Sequence, residues 1–180
     1  MVVTTFLRRT NGAVDEYLFI PVETMEPLYG SRVIAPNLPG KTSADLKGDG
    51  SANFLLDLGM YQITLSIGGF LVPMVSGEFP SLNGTTQKYI TPAGISSTPP
   101  ASISGKQLRT LLYDFAANQN VTTYTDFKFG WPEWGATDDT VIVGVSYRLW
   151  EGFIREIQTR EFAGELDQYF YSIGFVVGDT

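Results

Sequence analysis

The sequence predicts a mainly β (α+β) fold, an antiparallel split β-barrel or sandwich carrying one packed amphipathic helix. Three observations lead there. The chain holds 19 Gly and 10 Pro against only 17% charged residues, a balance that suits many turns and short connections. Near the C-terminus, two runs alternate apolar and other residues at a spacing of two: Val141, Val143, Val145, Tyr147 and Leu149, then Tyr169, Tyr171, Ile173, Phe175 and Val177. A strand repeats every two residues, so each run sets one apolar face on a core. Helical spacing, by contrast, stands out in one segment alone.

Taken in order, residues 13–22 read as a first strand with Tyr17 and Phe19 inward and Pro21 at its end. Residues 22–51 carry Pro27, Gly30, Pro36, Pro39 and Gly40 and read as a long arm with one short strand at 32–35. A loop of this length is uncommon inside a compact domain unless it contacts something. Two strands follow within 53–72, with Phe54, Leu56 and Leu58 alternating, then Ile63, Leu65 and Ile67; Gly68-Gly69 marks a bulge or bend. Residues 73–103, rich in Pro, Ser, Thr and Gly, read as a second long irregular arm.

The helix is expected over 104–118, within "SGKQLRTLLYDFAANQN". Leu108, Leu111, Leu112 and Phe115 fall at i, i+3, i+4 and i+7, one face of a helix. Ser104 and Gln107 stand where a capping box needs them, and Asn118 or Asn120 can end the helix in a left-handed conformation. A short strand at 122–130 with Tyr124 and Phe127 or Phe129 and a turn-rich loop at 131–139 lead into the C-terminal hairpin, turned near Gly164. At 180 residues the chain is expected to be one domain, 1–180, with interaction arms at about 22–51 and 73–103.

Composition removes several chemistries. Without Cys or His there is no thiolate nucleophile, no disulfide, no histidine base and no histidine metal ligand. A net charge of −7 argues against wrapping a nucleic-acid backbone, which needs a basic surface. No run of 18 apolar residues suggests a membrane span, and the first residues lack the pattern of a signal peptide.

The motifs that remain read more simply as structure. Asp45, Asp49 and Asp57 lie near a Gly-rich turn, but Lys47 interrupts the alternating oxygen ligands of a calcium loop. "SGKQ" at 104–107 lacks the first Gly and the Ser or Thr of a phosphate loop and reads as a capped helix. Glu151, Glu156, Glu161, Glu165, Asp138 and Asp139 offer acids without a spacing that pairs two of them. Glu156, Arg155, Arg160 and Glu161 read instead as cross-strand or intersubunit ion pairs. Asn83-Gly84-Thr85 and Asn120-Val121-Thr122 match the glycosylation pattern, which alone carries little weight. Trp131, Trp134 and Trp150 with Tyr147 are core fillers or, as an alternative, the stacking platform of a carbohydrate-binding β-sandwich. No catalytic, cofactor-binding or metal residue is assigned, and the expectation is a protein that is not an enzyme.

The segment "LWEGFIREIQTREFAGELDQYFYSIGFVVGD" resembles the closing hairpin of the split-barrel proteins that build bacteriophage tails and related contractile injection machines. The positions that carry the resemblance are Gly152, Ile154, Arg160, Glu161, Gly164, Tyr169, Tyr171, Ile173, Phe175 and Val177. "LLDLGMYQITLSIGGFLV" is similar to the opening strands of that group, and the two segments together cover about a third of the chain. The resemblance implies a structural virion protein of the tail tube, hub, adaptor or tube-initiator type, assembled in the host cytoplasm. It implies homo-oligomeric rings, usually hexameric and sometimes trimeric, joined to other tail or baseplate proteins. It implies no cofactor, and DNA passing through the lumen without sequence-specific binding; an acidic wall would keep that DNA from sticking.

Overall fold

The computed structural model describes residues 5–34, 56–133, 139–142, 145–161 and 167–178, with side chains described outside 29–34, 56–62 and 139–142. Twelve strands are formed among them: β1 Phe6–Asn11, β2 Val14–Phe19, β3 Thr24–Ile34, β4 Leu56–Leu71, β5 Met74–Val75, β6 Gln87–Thr91, β7 Gly94–Ser96, β8 Ser102–Ile103, β9 Tyr124–Pro132, β10 Asp139–Ile142, β11 Val145–Glu161 and β12 Tyr169–Val177. Between β8 and β9 runs the helix α1, Gly105–Ala117. The fold is mainly β with one helix, as the composition and spacing predict.

One large sheet runs in the order β3-β4-β12-β11-β9-β1-β2-β6-β7, with β10 beside β11; β5 and β8 form a separate pair. The sheet is not closed into a barrel, which leaves the sandwich as the matching architecture. Nor is it wholly antiparallel, because β2 pairs with β6 in parallel. What makes two layers of one sheet is β11. Its residues 147–151 pair with β9, whereas residues 152–161 pair with β12. The change of partner falls at Gly152, whose φ is +158° and whose position leaves no room for a Cβ beside the Val176 carbonyl oxygen. Beyond that corner the two halves face each other, and the Phe129 and Phe175 rings meet at 6.3 Å between centroids.

β1 and β2 are buried on both faces. Phe6, Tyr17, Phe19 and Tyr147 form an aromatic cluster on one side, with Phe6 5.1 Å from Tyr17 and 5.0 Å from Tyr147. On the other side Leu7 and Leu18 join the apolar stripe of α1, in which Leu108, Leu111, Leu112 and Phe115 are all buried as their spacing requires. A buried ion pair lies on this second face: Arg9 Nε donates to Glu16 Oε2 at 2.7 Å, and the guanidinium sits 3.8 Å above the Tyr124 ring. Burial of two charges is tolerated because each is met by the other and by a ring or amide.

Several expectations change. The first strand is β1, ahead of the 13–22 run expected to be first, which forms β2; Arg8 and Arg9 mask the alternation of β1, and both are buried and paired. The arm at 22–51 contains an 11-residue strand, β3, where a four-residue one was expected. β4 is one strand of 16 residues, not two, and Gly68 and Gly69 keep regular register with Ser172 and Tyr171. These glycines serve close approach and not a bend: a Cβ on Gly69 would stand 2.9 Å from the Pro21 carbonyl oxygen. The segment 73–103 contains β5 to β8 instead of being irregular. α1 does not end left-handed; Asn118 is helical (φ −75°, ψ −8°), and a 3-10 turn at 118–120 follows. The run 140–149 is not the partner of 169–177. It belongs to β10 and the first part of β11, and the hairpin is made by 152–161 with β12.

Candidate interaction surface

Past the corner at Gly152, the strands β3, β4, β12 and the distal half of β11 form a four-stranded antiparallel ribbon. Its inner face is core. Tyr169, Tyr171, Ile173 and Phe175 are buried there beside Leu65, Ile67 and Leu71. The Tyr171 hydroxyl donates to the Pro21 carbonyl at 2.6 Å, and burial followed by the Glu23 charge pushes its pKa far above the ordinary 10.0. α1 covers this face and is tied to it at both ends. Arg109 lies 4.3 Å over the Tyr169 ring and 3.9 Å from Glu161, the Tyr113 and Thr159 hydroxyls are hydrogen-bonded at 3.1 Å, and the Ile154 amide donates to Gln119 Oε1 at 2.8 Å.

The amino end of α1 is held by a device the sequence does not announce. The Ser104–Gln107 capping box forms, with Gln107 N donating to Ser104 Oγ at 3.1 Å and Ser104 N to Gln107 Oε1 at 2.9 Å. In addition, the Gly105 and Lys106 amides donate to the Asp167 carboxylate at 3.0 and 2.8 Å. Asp167 sits just before β12 in a left-handed conformation, φ 61°. A carboxylate at a helix amino end satisfies orphan amides and complements the helix dipole. "SGKQ" is thus a helix start occupied by the chain's own anion.

The opposite face of the ribbon is exposed along its two outer strands and partly or fully buried along β4 and β12, where Gly68 and Val176 are covered, and strand register sorts it into rows. Leu28, Thr64, Val176 and Phe153 make a largely apolar row across the four strands, with Val176 buried and Leu28 57% and Phe153 39% exposed at its two ends. Next comes Glu26, Ser66, Gly174 and Glu156, acidic at both ends, then the neutral row Thr24, Gly68, Ser172 and Gln158. Phe70, Phe170 and Arg160 close the series. The two sides of the ribbon are edges without a second strand neighbour among the described residues, at β3 and at residues 152–161 of β11, where the Ile154 amide is already taken by Gln119.

The residues weighed for chemistry do not converge. Tyr147 is fully buried with its hydroxyl unpartnered among the described residues, and burial pushes its pKa up. It stands opposite Pro132, one position out of step with Trp131, which pairs with Arg148. Neighbouring positions on a strand point to opposite faces, so Tyr147 and Trp131 cannot share a platform. Trp150 is half-buried with Arg148 5.5 Å over its ring. Glu151 pairs with Lys128 at 3.5 Å, Glu161 approaches Arg109, and Glu156 lies on the solvent face without an ion-pair partner among the described residues. Arg160 has no such partner either; Asp57 and Asp139 are placed on β4 and β10 by backbone. No group of acids among the described residues could hold a metal ion. Trp134, Asp45, Lys47, Asp49, Asp138, Gly164 and Glu165 lie outside the described residues. Asn83 uses its side chain within its own loop, its Oδ1 accepting from the amides of Thr85, Thr86 and Gln87. What sequence reading missed is the exposed edge of β3, concealed because Pro27 and Gly30 punctuate it like a loop.

Comparison with protein-family models, with curated proteins and with solved structures finds no match to this chain.

Proposed function

We propose that this chain is a ring-forming structural protein of a bacteriophage tail or baseplate, acting through contacts between its copies and not through catalysis. The observation that carries the reading is the free-edged ribbon. Its four strands alternate in direction, so β3 and β11 at its two sides run opposite ways. A neighbour in the same orientation then presents its β11 edge antiparallel to β3, and the sheet continues from copy to copy without any chain turning over. Such head-to-tail contacts close into a ring when the rotation divides a full turn. They also occupy edges that would otherwise template aggregation.

The resemblance of the closing hairpin and of β4 to tail split-barrel proteins supports the same reading, as does the low share of charged residues in the chain, 17%. On this reading the partners are further copies, in six- or three-fold rings, and other tail or baseplate proteins. The place is the virion, assembled in the host cytoplasm, with DNA passing through the lumen and no membrane insertion. Sedimentation velocity over a hundredfold concentration range, with negative-stain imaging of the fastest species, tests it. Closed rings of one size are expected; a chain that stays monomeric at every concentration and in the particle would sink the reading.

A further inference from the structure

The two free edges also specify how neighbours register, an inference that rests on the ring reading above. We infer that β3 of one copy pairs with β11 of the next at a stagger of four residues, placing Glu26 beside Arg160. Three independent observations lead to that register.

The first is the length of free edge. If the rows simply continued from copy to copy, Leu28 would face Phe153, Glu26 would face Glu156, and Thr24 would face Gln158. Positions 30–34 of β3 would then meet residues 147–151 of β11, the residues already paired with β9. Sliding the neighbour by four, so that Glu26 meets Arg160 in place of Glu156, brings positions 25–33 against residues 152–161. Most of both edges is then used, the Ile154 amide beside the β-bulge in β11 being already bonded to Gln119. Odd shifts are excluded because they exchange the core and solvent faces of the strand.

The second is charge. Unstaggered pairing sets two carboxylates, Glu26 and Glu156, directly opposite each other, and like charges in that position destabilise. At a stagger of four, Glu26 meets Arg160, Leu28 meets the stem of Gln158, and Glu156 meets Gly30. Glu26, Glu156 and Arg160 are all exposed and lack ion-pair partners among the described residues, so each is available. Pro27 removes one ladder donor from the β3 edge and leaves the rest.

The third is barrel geometry. Closing a sheet requires strands to tilt, and tilt needs a net register shift. Within one copy the rows run straight across, from Leu28 through Thr64 and Val176 to Phe153. Apart from the local irregularities at Ile154/Glu156 of β11 and Ser31/Val33 of β3, the shift must come from the interface between copies. Four residues for every four strands is one per strand, the ratio of an eight-stranded barrel of shear eight, whose strands tilt about 36°. That ratio is the same for three copies or six. Zero stagger would leave the strands untilted, and two would give about half that slope.

The natural chain has no Cys, so paired cysteines test the register directly. Leu28→Cys with Gln158→Cys should, on mild oxidation of the assembled protein, give a ladder of covalent multimers on a non-reducing gel. Glu26→Cys with Glu156→Cys should stay largely monomeric. Positions 28 and 158 of one copy lie on opposite sides of four strands and two rows apart, about 20 Å in all, beyond the reach of a disulfide, so a link must join two copies. A ladder from the second pair but not the first would overturn the stagger and leave the ring reading standing. Rings in the wild type with neither pair linking would move the interface elsewhere and also overturn the stagger. A wild type that never assembles would overturn the ring reading itself. As a check that needs no new bond, Glu26→Arg or Arg160→Glu alone should raise the half-assembly concentration about three- to tenfold, and the two together should restore it. Absence of restoration would overturn the pairing.

Discussion

Gly152 shows how much of this architecture hangs on single positions. It is where β11 leaves one layer for the other, and both its φ of +158° and the adjacent Val176 carbonyl exclude a side chain. Gly152→Ala is expected to cost roughly 2 to 4 kcal/mol, measured by urea denaturation, because strain and overlap act together. Tyr171 is the second such position. Burial holds its folded-state pKa above the ordinary 10.0, so the neutral phenol is the stabilised form. Its contribution is fully present below pH 10 and is lost as pH rises beyond it. The urea midpoint should fall above that pH, and Tyr171→Phe should flatten part of the fall, the buried Tyr147 and Tyr89 contributing to the remainder. At neutral pH the same substitution removes the bond to Pro21 and should cost about 1 kcal/mol.

At the scale of elements, α1 is a splint laid across the ribbon. Its sequence supplies the apolar stripe and its own capping box, but its orientation comes from distant parts of the chain, through Asp167 at one end and through Ile154, bonded to Gln119, at the other. Asp167→Ala is expected to destabilise by about 1 to 2 kcal/mol, since two helix amides lose a charged acceptor. Asp167→Asn, which tolerates the left-handed backbone and keeps an oxygen, should cost about half as much. Thermal unfolding followed by circular dichroism at 222 nm checks both. Equal losses for the two variants would show that the carboxylate's charge, and not backbone conformation, is what matters there. The helix was legible because its spacing is local; the Asp167 contact was not, because it joins positions 62 residues apart.

For the whole molecule, the ring reading makes stability a matter of concentration. Assembly that buries the β3 and β11 edges stabilises the folded chain by mass action. The unfolding midpoint in calorimetry should therefore rise by several degrees over a hundredfold increase in protein, whereas a monomer's midpoint would stay constant. Disruption at a row shared between copies, such as Leu28→Asp, should remove that dependence while leaving the dilute midpoint nearly unchanged, because Leu28 is exposed in the single copy.

What the residues settle by themselves is set by periodicity and elimination. Alternation at Tyr169–Val177 names a strand and its buried face. The spacing of Leu108 to Phe115 names a helix and its stripe, and the missing His and Cys remove whole classes of chemistry. β1 and β3 escaped notice for a common reason: Arg8, Arg9, Pro27 and Gly30 break a local pattern, and only neighbours distant in sequence make them acceptable there. Pairing, corner and edges belong to the tertiary structure alone. Whether 140–149 or 152–161 faces β12 depends on where the chain runs out of room for a side chain, and that is decided by the Val176 carbonyl beside Gly152.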